Sequence, residues 1–288
     1  MREPIVIDGP VEARLRALVA LAPLHNGPAI EALDESRRAL PNVPHIAVFD
    51  TAFHETIPAV AATYALPHEW RGEIRRFGFH GLSVQWASER VRVPRLVVCH
   101  LGGGCSVTAV LDGRSVDTTM GFTPLEGVPM ATRAGSVDPG ALLYLLREGV
   151  AQADLDDALE RRAGLLAVSG LSGDVSVLEQ SGDRDAAFAL DLFAYRVATA
   201  VGAMAAALDG LDALVFTAGI GEHSARVRRD VCDRLGFLGV LLDEARNAAA
   251  EPDVDVASAR SSVRVVVLRA REELVAARAA RALLRSGA

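Results

Sequence analysis

The sequence contains no lysine, and all 30 of its basic side chains are arginine. A P-loop of the G-x-x-x-x-G-K-[ST] type is therefore excluded, because that loop needs its lysine on the phosphates. Any phosphate chemistry must use arginine, backbone amides and a metal ion instead. Acidic residues outnumber basic ones by 37 to 30, which gives a net charge of −7 and excludes a broad basic face for nucleic acid.

Cysteine and long apolar runs are also scarce. The three cysteines, Cys99, Cys105 and Cys232, have no metal-ligand spacing and cannot all pair, which predicts a reducing compartment. No apolar run approaches the length of a bilayer span, and the first 26 residues carry proline and acidic residues unlike a signal peptide. We therefore expect a soluble, cytoplasmic protein without a membrane partner.

Hydrophobic residues make up 50% of the 288 positions, enough for one large or two smaller cores. Their spacing predicts an α/β architecture, with a ligand at the carboxyl ends of strands. The predicted strands are 44–54, which ends near Asp50, 95–104, a hairpin over 105–119, 213–222, and one shortly after 262. The predicted helices are 9–40 with a break, 83–92, 139–150, 153–162, 184–210, 224–235 and a long one at the C-terminus.

Two glycine-containing segments each follow a predicted strand. These segments are His100-Leu101-Gly102-Gly103-Gly104 and Gly219-Ile220-Gly221-Glu222-His223. Glycine lets a backbone approach a ligand closely, and free amides can face phosphate oxygens. A simple β-turn explains either segment alone. Two in one chain, the second followed by Ser224 as a candidate helix N-cap, favour a nucleotide site.

Four side chains are candidates for chemistry, and each has a structural alternative. Asp50 could hold a metal or accept a proton, or could cap a turn. His80 and Arg133 lie in glycine-rich loops, where Arg133 could clamp a phosphoryl group. A buried structural histidine and a solvated arginine are the alternatives. Glu272, or its neighbour Glu273, could bind magnesium or only favour a helix N-terminus.

The motifs together resemble those of the acetate and propionate kinase family, within the actin-like superfamily. They occur in the family's order: "LAPLHN", "VFDTAFH", "RRFGFHG", "CHLGGGCSV", "SVDTTMGFTPLEG", "TRAGSVDPG", "SGLSG", "LDALVFTAGIGEHS" and "REELVAAR". The resemblance implies an actin-like (ribonuclease H-like) ATPase fold of two duplicated lobes, the first incomplete. Residues 1–50, completed by helix 274–288, would belong to the first lobe, and 51–273 would form the nucleotide-binding lobe.

The resemblance also implies roles. ATP would phosphorylate acetate, with Mg²⁺ or Mn²⁺ as the metal, in a homodimer; propionate is the alternative acceptor. Asp50, His80 and Arg133 would be catalytic, and Glu272 would hold the metal. The two glycine segments, 100–104 and 219–223, would cradle the nucleotide. The pocket for the acetate methyl group would be lined by Leu24, Phe79 and Pro124.

Four departures from the family pattern leave a second function open. We expect the family's first strand and its phosphate loop to be missing from this chain. Gly103 and His223 each replace an asparagine of the family. Val177 and Glu179 stand where the resemblance leads us to expect an aspartate and an arginine on the nucleotide. The alternative is a degenerate homologue that binds nucleotide, or only dimerises, without catalysis.

Overall fold

The structure, a computed structural model, describes residues 3–21 and 23–286, and the side chains of residues 20–26 lie outside the described part. The strands of this part are β1 (Ile5–Val6), β2 (Ile46–Ala47), β3 (Arg95–Leu101), β4 (Cys105–Leu111), β5 (Arg114–Thr118), β6 (Ala213–Thr217), β7 (Val254–Asp255) and β8 (Arg264–Val267).

Helices precede, separate and follow these strands along the chain. They are α1 (Gly9–Ala17), α2 (Pro23–Ala39), α3 (Ala59–Ala62), α4 (Gly81–Arg90), α5 (Pro139–Arg147), α6 (Gln152–Arg161), α7 (Gly164–Ser169), α8 (Val175–Gln180), α9 (Arg184–Ala207), α10 (Ala218–His223), α11 (Ala225–Cys232), α12 (Glu244–Ala248) and α13 (Glu272–Arg285). Short 3₁₀ helices occupy Leu18–Leu21, Ala52–Thr56, His68–Trp70 and Asp233–Leu238.

Six strands form one mixed sheet in the order β5-β4-β3-β6-β8-β7. The antiparallel hairpin of β4 and β5 turns at Asp112 and Gly113, whose φ angles of 48° and 78° are those of a type I′ turn. The predicted hairpin is therefore confirmed. β3 runs parallel to β6, and β6 runs parallel to β8, so the carboxyl ends of these three strands share one edge of the sheet.

The sheet has a hydrophobic core on each face, as the alternation of side chains along β3 requires. Val97, Cys99 and Leu101 point to the face covered by α9, whereas Leu96 and Val98 point to the face covered by α4. The thiols of Cys99, Cys105 and Cys232 are all buried and free. α9 alone, among the described residues, is long and apolar enough to cross a bilayer, but it packs in this core.

The N-terminal part of the chain differs from this sheet. β1 pairs only with β2, in a two-stranded sheet. The strand predicted over 44–54 was thus too long, because residues 52–56 turn into a 3₁₀ helix and Asp50 lies in the turn before it. α13 packs on α4, where Arg278 donates to Glu89 at 2.6 Å. The assignment of residues 1–50 and 274–288 to a first lobe stays a prediction.

Candidate active site

A pocket of about 510 Å³ opens at the edge of the sheet where β3 and β6 end. His100 of β3 is paired with Thr217 of β6, so the segments that follow these strands are neighbours. One wall of the pocket contains Gly102 and Gly103 after β3, with Gly219, Ile220 and His223 after β6. The facing wall is Ala131 with residues from Gly173 to Glu179. The two predicted glycine segments therefore share one pocket.

The two segments have different structures. Gly102, Gly103 and Gly104 form an open loop in which the Gly102 amide donates to the Gly104 carbonyl at 3.0 Å. The second segment is the short helix α10, where a glycine turn was predicted. It starts at Ala218, whose φ of 64° lies in the left-handed region. Ser224 follows it and accepts from the Val227 amide at 2.9 Å, so the predicted N-cap of α11 is confirmed.

Arg133 and His80 converge on Gly104. A Cβ atom at Gly104 would lie 3.2 Å from Arg133 Nη2 and 3.2 Å from His80 Nε2, so both side chains face the same backbone position. Arg133 is only 6% exposed, and burial lowers the pKa of its guanidinium. The planar guanidinium group of Arg133 and the Nε2 atom of His80 thus lie next to each other at the end of the β3 loop. The solvated-arginine alternative does not describe Arg133.

Arg133 is held by the turn that carries Pro124. Its Nη1 donates to the Pro124 carbonyl at 3.1 Å. Arg76 ties that turn, Gly121–Gly127, to the end of β5: it donates to Glu126 Oε1 in the turn at 3.0 Å and to the Thr118 carbonyl of β5 at 2.7 Å. The sharp Thr-Pro turn after the hairpin therefore serves to place Arg133.

His80 is fixed through its backbone, its ring edge and its ring face. Its φ of 58° is left-handed, and its backbone amide donates to Asp50 Oδ2 at 2.5 Å. Its Nδ1 lies 3.0 Å from Ser106 Oγ. Its ring stacks on His100 with the ring centroids 4.0 Å apart. The remaining nitrogen, Nε2, is the one directed at Gly104.

His100 and Leu101 do not lie where the resemblance suggested. Both side chains are buried in β3, and neither lines the pocket. Burial, followed by the neighbouring His80, lowers the pKa of His100 well below its usual range, so this ring stays neutral under His80. The pocket is therefore lined by the glycines that follow these two residues, and His100 supports His80 from below.

Asp50 accepts backbone amides at the start of α4, rather than amides of the turn that follows its own strand. Oδ2 accepts the His80 amide and Oδ1 accepts the Leu82 amide at 3.3 Å, so this carboxylate closes the N-terminus of α4. The Asp50 carbonyl accepts the Gly81 amide at 2.9 Å, and a Cβ at Gly81 would lie 2.1 Å from that oxygen. Glycine is therefore required at position 81.

Asp50 and Glu272 lie within electrostatic range of each other. Burial first, and then the negative charges of Asp50 and Glu273, raise the pKa of the Glu272 carboxyl to about 7. Glu273 is exposed, so Glu272 is the half-buried carboxylate of the pair. Among the described residues, no group of three His, Cys, Asp or Glu side chains could hold a metal. Two carboxylates suit a magnesium-type ion that keeps waters and phosphate oxygens.

The predicted acceptor pocket is only partly described. The Phe79 carbonyl accepts from His54 Nε2 at 2.8 Å, and Pro124 is buried beside Arg133. The Leu24 side chain lies outside the described residues.

The facing wall of the pocket includes one of the two residues that the sequence singled out there. Asp174, Ser176 and Glu179 line the pocket, whereas Val177 is 43% exposed and does not. Glu179, one of the two positions singled out in the sequence, therefore lies at the pocket, whereas Val177 does not, and their correspondence to the family's aspartate and arginine stays a prediction. Asp174 is the N-cap of α8, and its side chain accepts the Ser176 amide at 2.8 Å.

The sequence matches the family model described as "Acetokinase family" over residues 1–278. The chain belongs to the acetokinase family. It is 46% identical to the acetate kinase of a Synechococcus species over 98% of this chain and 73% of that protein. It is 47% identical to the acetate kinase of Heliobacterium modesticaldum over 92% of this chain and 70% of that protein.

Solved structures of this acetokinase family share the fold. A propionate kinase from Francisella tularensis superposes with a TM-score of 0.90 at 37% identity, covering 97% of this chain and 75% of that one. An acetate kinase from Porphyromonas gingivalis gives a TM-score of 0.88 at 34% identity, covering 98% of this chain and 75% of that one. The actin-like α/β fold and the family resemblance are therefore confirmed.

Proposed function

We propose that this protein transfers the γ-phosphoryl group of ATP to acetate, giving acetyl phosphate and ADP, reversibly. The observation that carries the proposal is the convergence of Arg133 and His80 on Gly104, the residue that follows the pocket-lining Gly103. Acetate kinases at 46% and 47% identity over most of the chain support the reaction. Nucleotide would lie in the pocket with its terminal phosphate toward Gly104.

The transfer needs alignment and charge stabilisation more than covalent chemistry by the protein. A carboxylate oxygen of acetate forms a bond to the γ-phosphorus while the bond from that phosphorus to the bridging oxygen of ADP breaks. No proton has to move in this step. Arg133 and His80 Nε2 would donate to the equatorial oxygens, where negative charge is concentrated.

A divalent metal fits the two carboxylates, and we propose Mg²⁺, with Mn²⁺ as a substitute. Asp50 and Glu272 would hold it together with phosphate oxygens and water. When bound, the ion neutralises charge on the β- and γ-phosphates. The shared charge repulsion of Asp50 and Glu272 is relieved by a cation, which is why their proximity supports a metal site.

Acetate is the proposed acceptor and propionate an alternative of the same class. Phe79 and Pro124, which flank His80 and Arg133, would contact the methyl group together with Leu24. One methylene changes discrimination by only about 1–3 kcal/mol, so both acids should react. The kcat/KM values over a series from formate to butyrate would rank them.

The direct experiment is acetyl phosphate formation from ATP, acetate and Mg²⁺ by the purified protein, trapped as the hydroxamate. We expect turnover that depends on all three components. The matched negative control is Asp50→Asn, which keeps the size of the side chain and removes its charge. Turnover that is identical in both proteins would show a contaminating kinase and would contradict the proposal.

A second function is favoured by two observations in the pocket: Gly103 has no side chain to bond phosphate, and Ser176 supplies no cation. A homologue with these losses could bind nucleotide without transferring phosphate. Calorimetry separates the two functions. ADP binding without any acetyl phosphate formation would favour this second one, whereas turnover excludes it.

We also propose a homodimer formed through α5. This helix has no buried residue, and Leu143 and Tyr144 are 56% and 55% exposed. A second copy is the occupant that would cover them. Light scattering should give twice the chain mass for the parent protein and the chain mass for Leu143→Arg. A monomeric parent would contradict this proposal.

The cytoplasmic location stays a prediction, which the three free thiols support.

A further inference from the structure

Glu222 was expected to contact nucleotide, but its carboxylate is directed elsewhere. The residue is 8% exposed, and it does not line the pocket although Ile220 and His223 on either side of it do. Its Oε1 accepts two backbone amides, that of Ala218 at 3.1 Å and that of Ala270 at 2.8 Å. A buried carboxylate is stabilised by such charge-assisted bonds and is costly without them.

The two amides belong to two different parts of the site. Ala218 is the first residue of α10, the pocket-lining helix after β6, and its left-handed φ of 64° is unusual for alanine. Ala270 follows β8 and lies two residues before Glu272, the carboxylate at the start of α13. One oxygen atom therefore joins the nucleotide side of the site to the metal side.

The opposite end of α10 is held independently. Arg228, only 1% exposed, donates from Nη1 to the Gly221 carbonyl at 3.0 Å and to the Glu222 carbonyl at 2.9 Å. Asn247 Oδ1 accepts from Arg228 Nε at 2.7 Å. These bonds stabilise α10 but do not involve the backbone before Glu272. The Arg228–Asn247 pair is therefore an internal reference for a purely structural role.

We propose that Glu222 is a positioning residue that couples nucleotide binding to metal binding, by fixing α10 and the backbone that presents Glu272 in one arrangement. The inference rests on the proposed function. When Glu222 holds both amides, nucleotide bound against α10 has Glu272 already in position to bind the metal. Without these bonds, each side can shift separately, and the metal no longer strengthens nucleotide binding to the same extent.

The experiment measures coupling rather than activity. ADP is titrated calorimetrically into the full-length protein without metal and with saturating Mg²⁺, and the ratio of the two dissociation constants is the coupling. We expect Glu222→Ala to reduce this ratio about tenfold, within the usual range of coupling between sites. Glu222→Gln keeps an oxygen acceptor and should hold the ratio within about twofold of the parent.

Asn247→Ala is the matched structural control. It removes a buried hydrogen-bond partner of Arg228, so it should lower Tm about as much as Glu222→Ala while leaving the coupling ratio unchanged. Amide hydrogen exchange gives a second readout that needs no ligand. In Glu222→Ala we expect faster exchange at Ala218 and at Ala270, whereas in Asn247→Ala Ala270 should exchange as in the parent.

The outcomes separate this inference from the proposed function. If Glu222→Ala loses stability but keeps the parent's coupling ratio, Glu222 is only structural and the inference is overturned. A parent whose ADP affinity does not respond to Mg²⁺ also overturns it, even if the protein turns over acetate. A parent that couples ADP to Mg²⁺ through Glu222 but forms no acetyl phosphate overturns the proposed function and supports the inference.

Discussion

The β3 loop (Gly102–Gly104) and the α10 segment (Ala218–His223) look alike in sequence and occupy neighbouring positions at the sheet edge, yet they are built differently. The β3 loop supplies space, and its functional groups, Arg133 and His80, arrive from other parts of the chain. The α10 segment is a fixed surface, held by Glu222 at one end and Arg228 at the other. Similar glycine-containing segments can therefore either leave space for side chains from elsewhere or form a rigid lining of the pocket.

Removing the cation at the β3 loop should have the largest effect. Arg133→Ala deletes a donor aimed at the transferring group, and the loss of one such donor typically costs about 10²–10³ in kcat. We expect that decrease in the forward reaction, with the dissociation constant of ADP nearly unchanged. Arg161→Ala, at an exposed ion pair with Asp157 on α6, is the control and should keep the parent's kcat. A fall in ADP affinity that accounts for the whole loss would place Arg133 on the nucleotide instead.

Two single methyl groups distinguish positions within the β3 loop. In Gly104→Ala the new Cβ would lie 3.2 Å from Arg133 Nη2 and from His80 Nε2, whereas in Gly103→Ala nothing lies within 4 Å. Gly104→Ala should therefore displace these side chains and lower kcat about tenfold, as small misplacements in a site do. Gly103→Ala should act mainly on the KM for ATP, because Gly103 lines the pocket and a methyl group there would enter open space. Equal effects on kcat would remove the distinction between the two glycines.

Glu272, which is linked to the α10 segment through Glu222, should make the stability of the protein depend on pH. Its carboxyl has a pKa near 7 in the folded protein, against 4.5 for a free glutamate, so the folded state holds this proton more tightly. The contribution of Glu272 to the free energy of unfolding therefore decreases as pH rises from about 4.5 to about 7. In metal-free buffer, Glu272→Gln should raise Tm by about 2–4 °C at pH 8 and have little effect at pH 4.5. The exposed neighbour variant Glu273→Gln should change Tm less at both pH values, and a Tm gain independent of pH would contradict the account.

The smallest effect is expected at the start of α10. Ala218 has a φ of 64°, a region that costs an alanine about 1 kcal/mol and a glycine almost nothing. Ala218→Gly should therefore raise the free energy of unfolding by about 0.5–1 kcal/mol in urea titrations. Ala225→Gly, at the first position of α11, has no such strain to relieve and should be neutral or destabilising. A stability loss in Ala218→Gly would show that the segment gains nothing from that release.

The sequence predicted the elements whose signal is local. The alternating residues of β4 and β5 and their Asp112-Gly113 turn identified the hairpin, and apolar spacing identified α9 to within three residues at its end. The short helices α7, α8 and α12, of six, six and five residues, were not predicted, because their spans are too short to show a helical period. The predicted length of β2 was wrong for another reason: β1 has only two residues that pair with it.

The sequence predicted which residue types lie at the site, but not the directions in which their side chains point. Nothing in "GIGEH" shows that Glu222 turns from the pocket toward Ala270, because that amide is brought there by β8. Likewise, His100 was expected among nucleotide contacts because it adjoins the glycines, yet the alternation of β3 places its ring beneath His80. Side-chain direction at a sheet edge depends on neighbouring strands, which a local pattern does not specify.

The central claim is that Arg133 and His80 meet a phosphoryl group at Gly104. Aluminium fluoride with MgADP and acetate mimics the planar group in transfer, and transition-state mimics bind far more tightly than substrates. Calorimetry should show this mixture binding the parent at least about a hundredfold more tightly than Arg133→Ala, while MgADP alone binds both equally. Equal affinity of the two proteins for the complete mixture would contradict the claim.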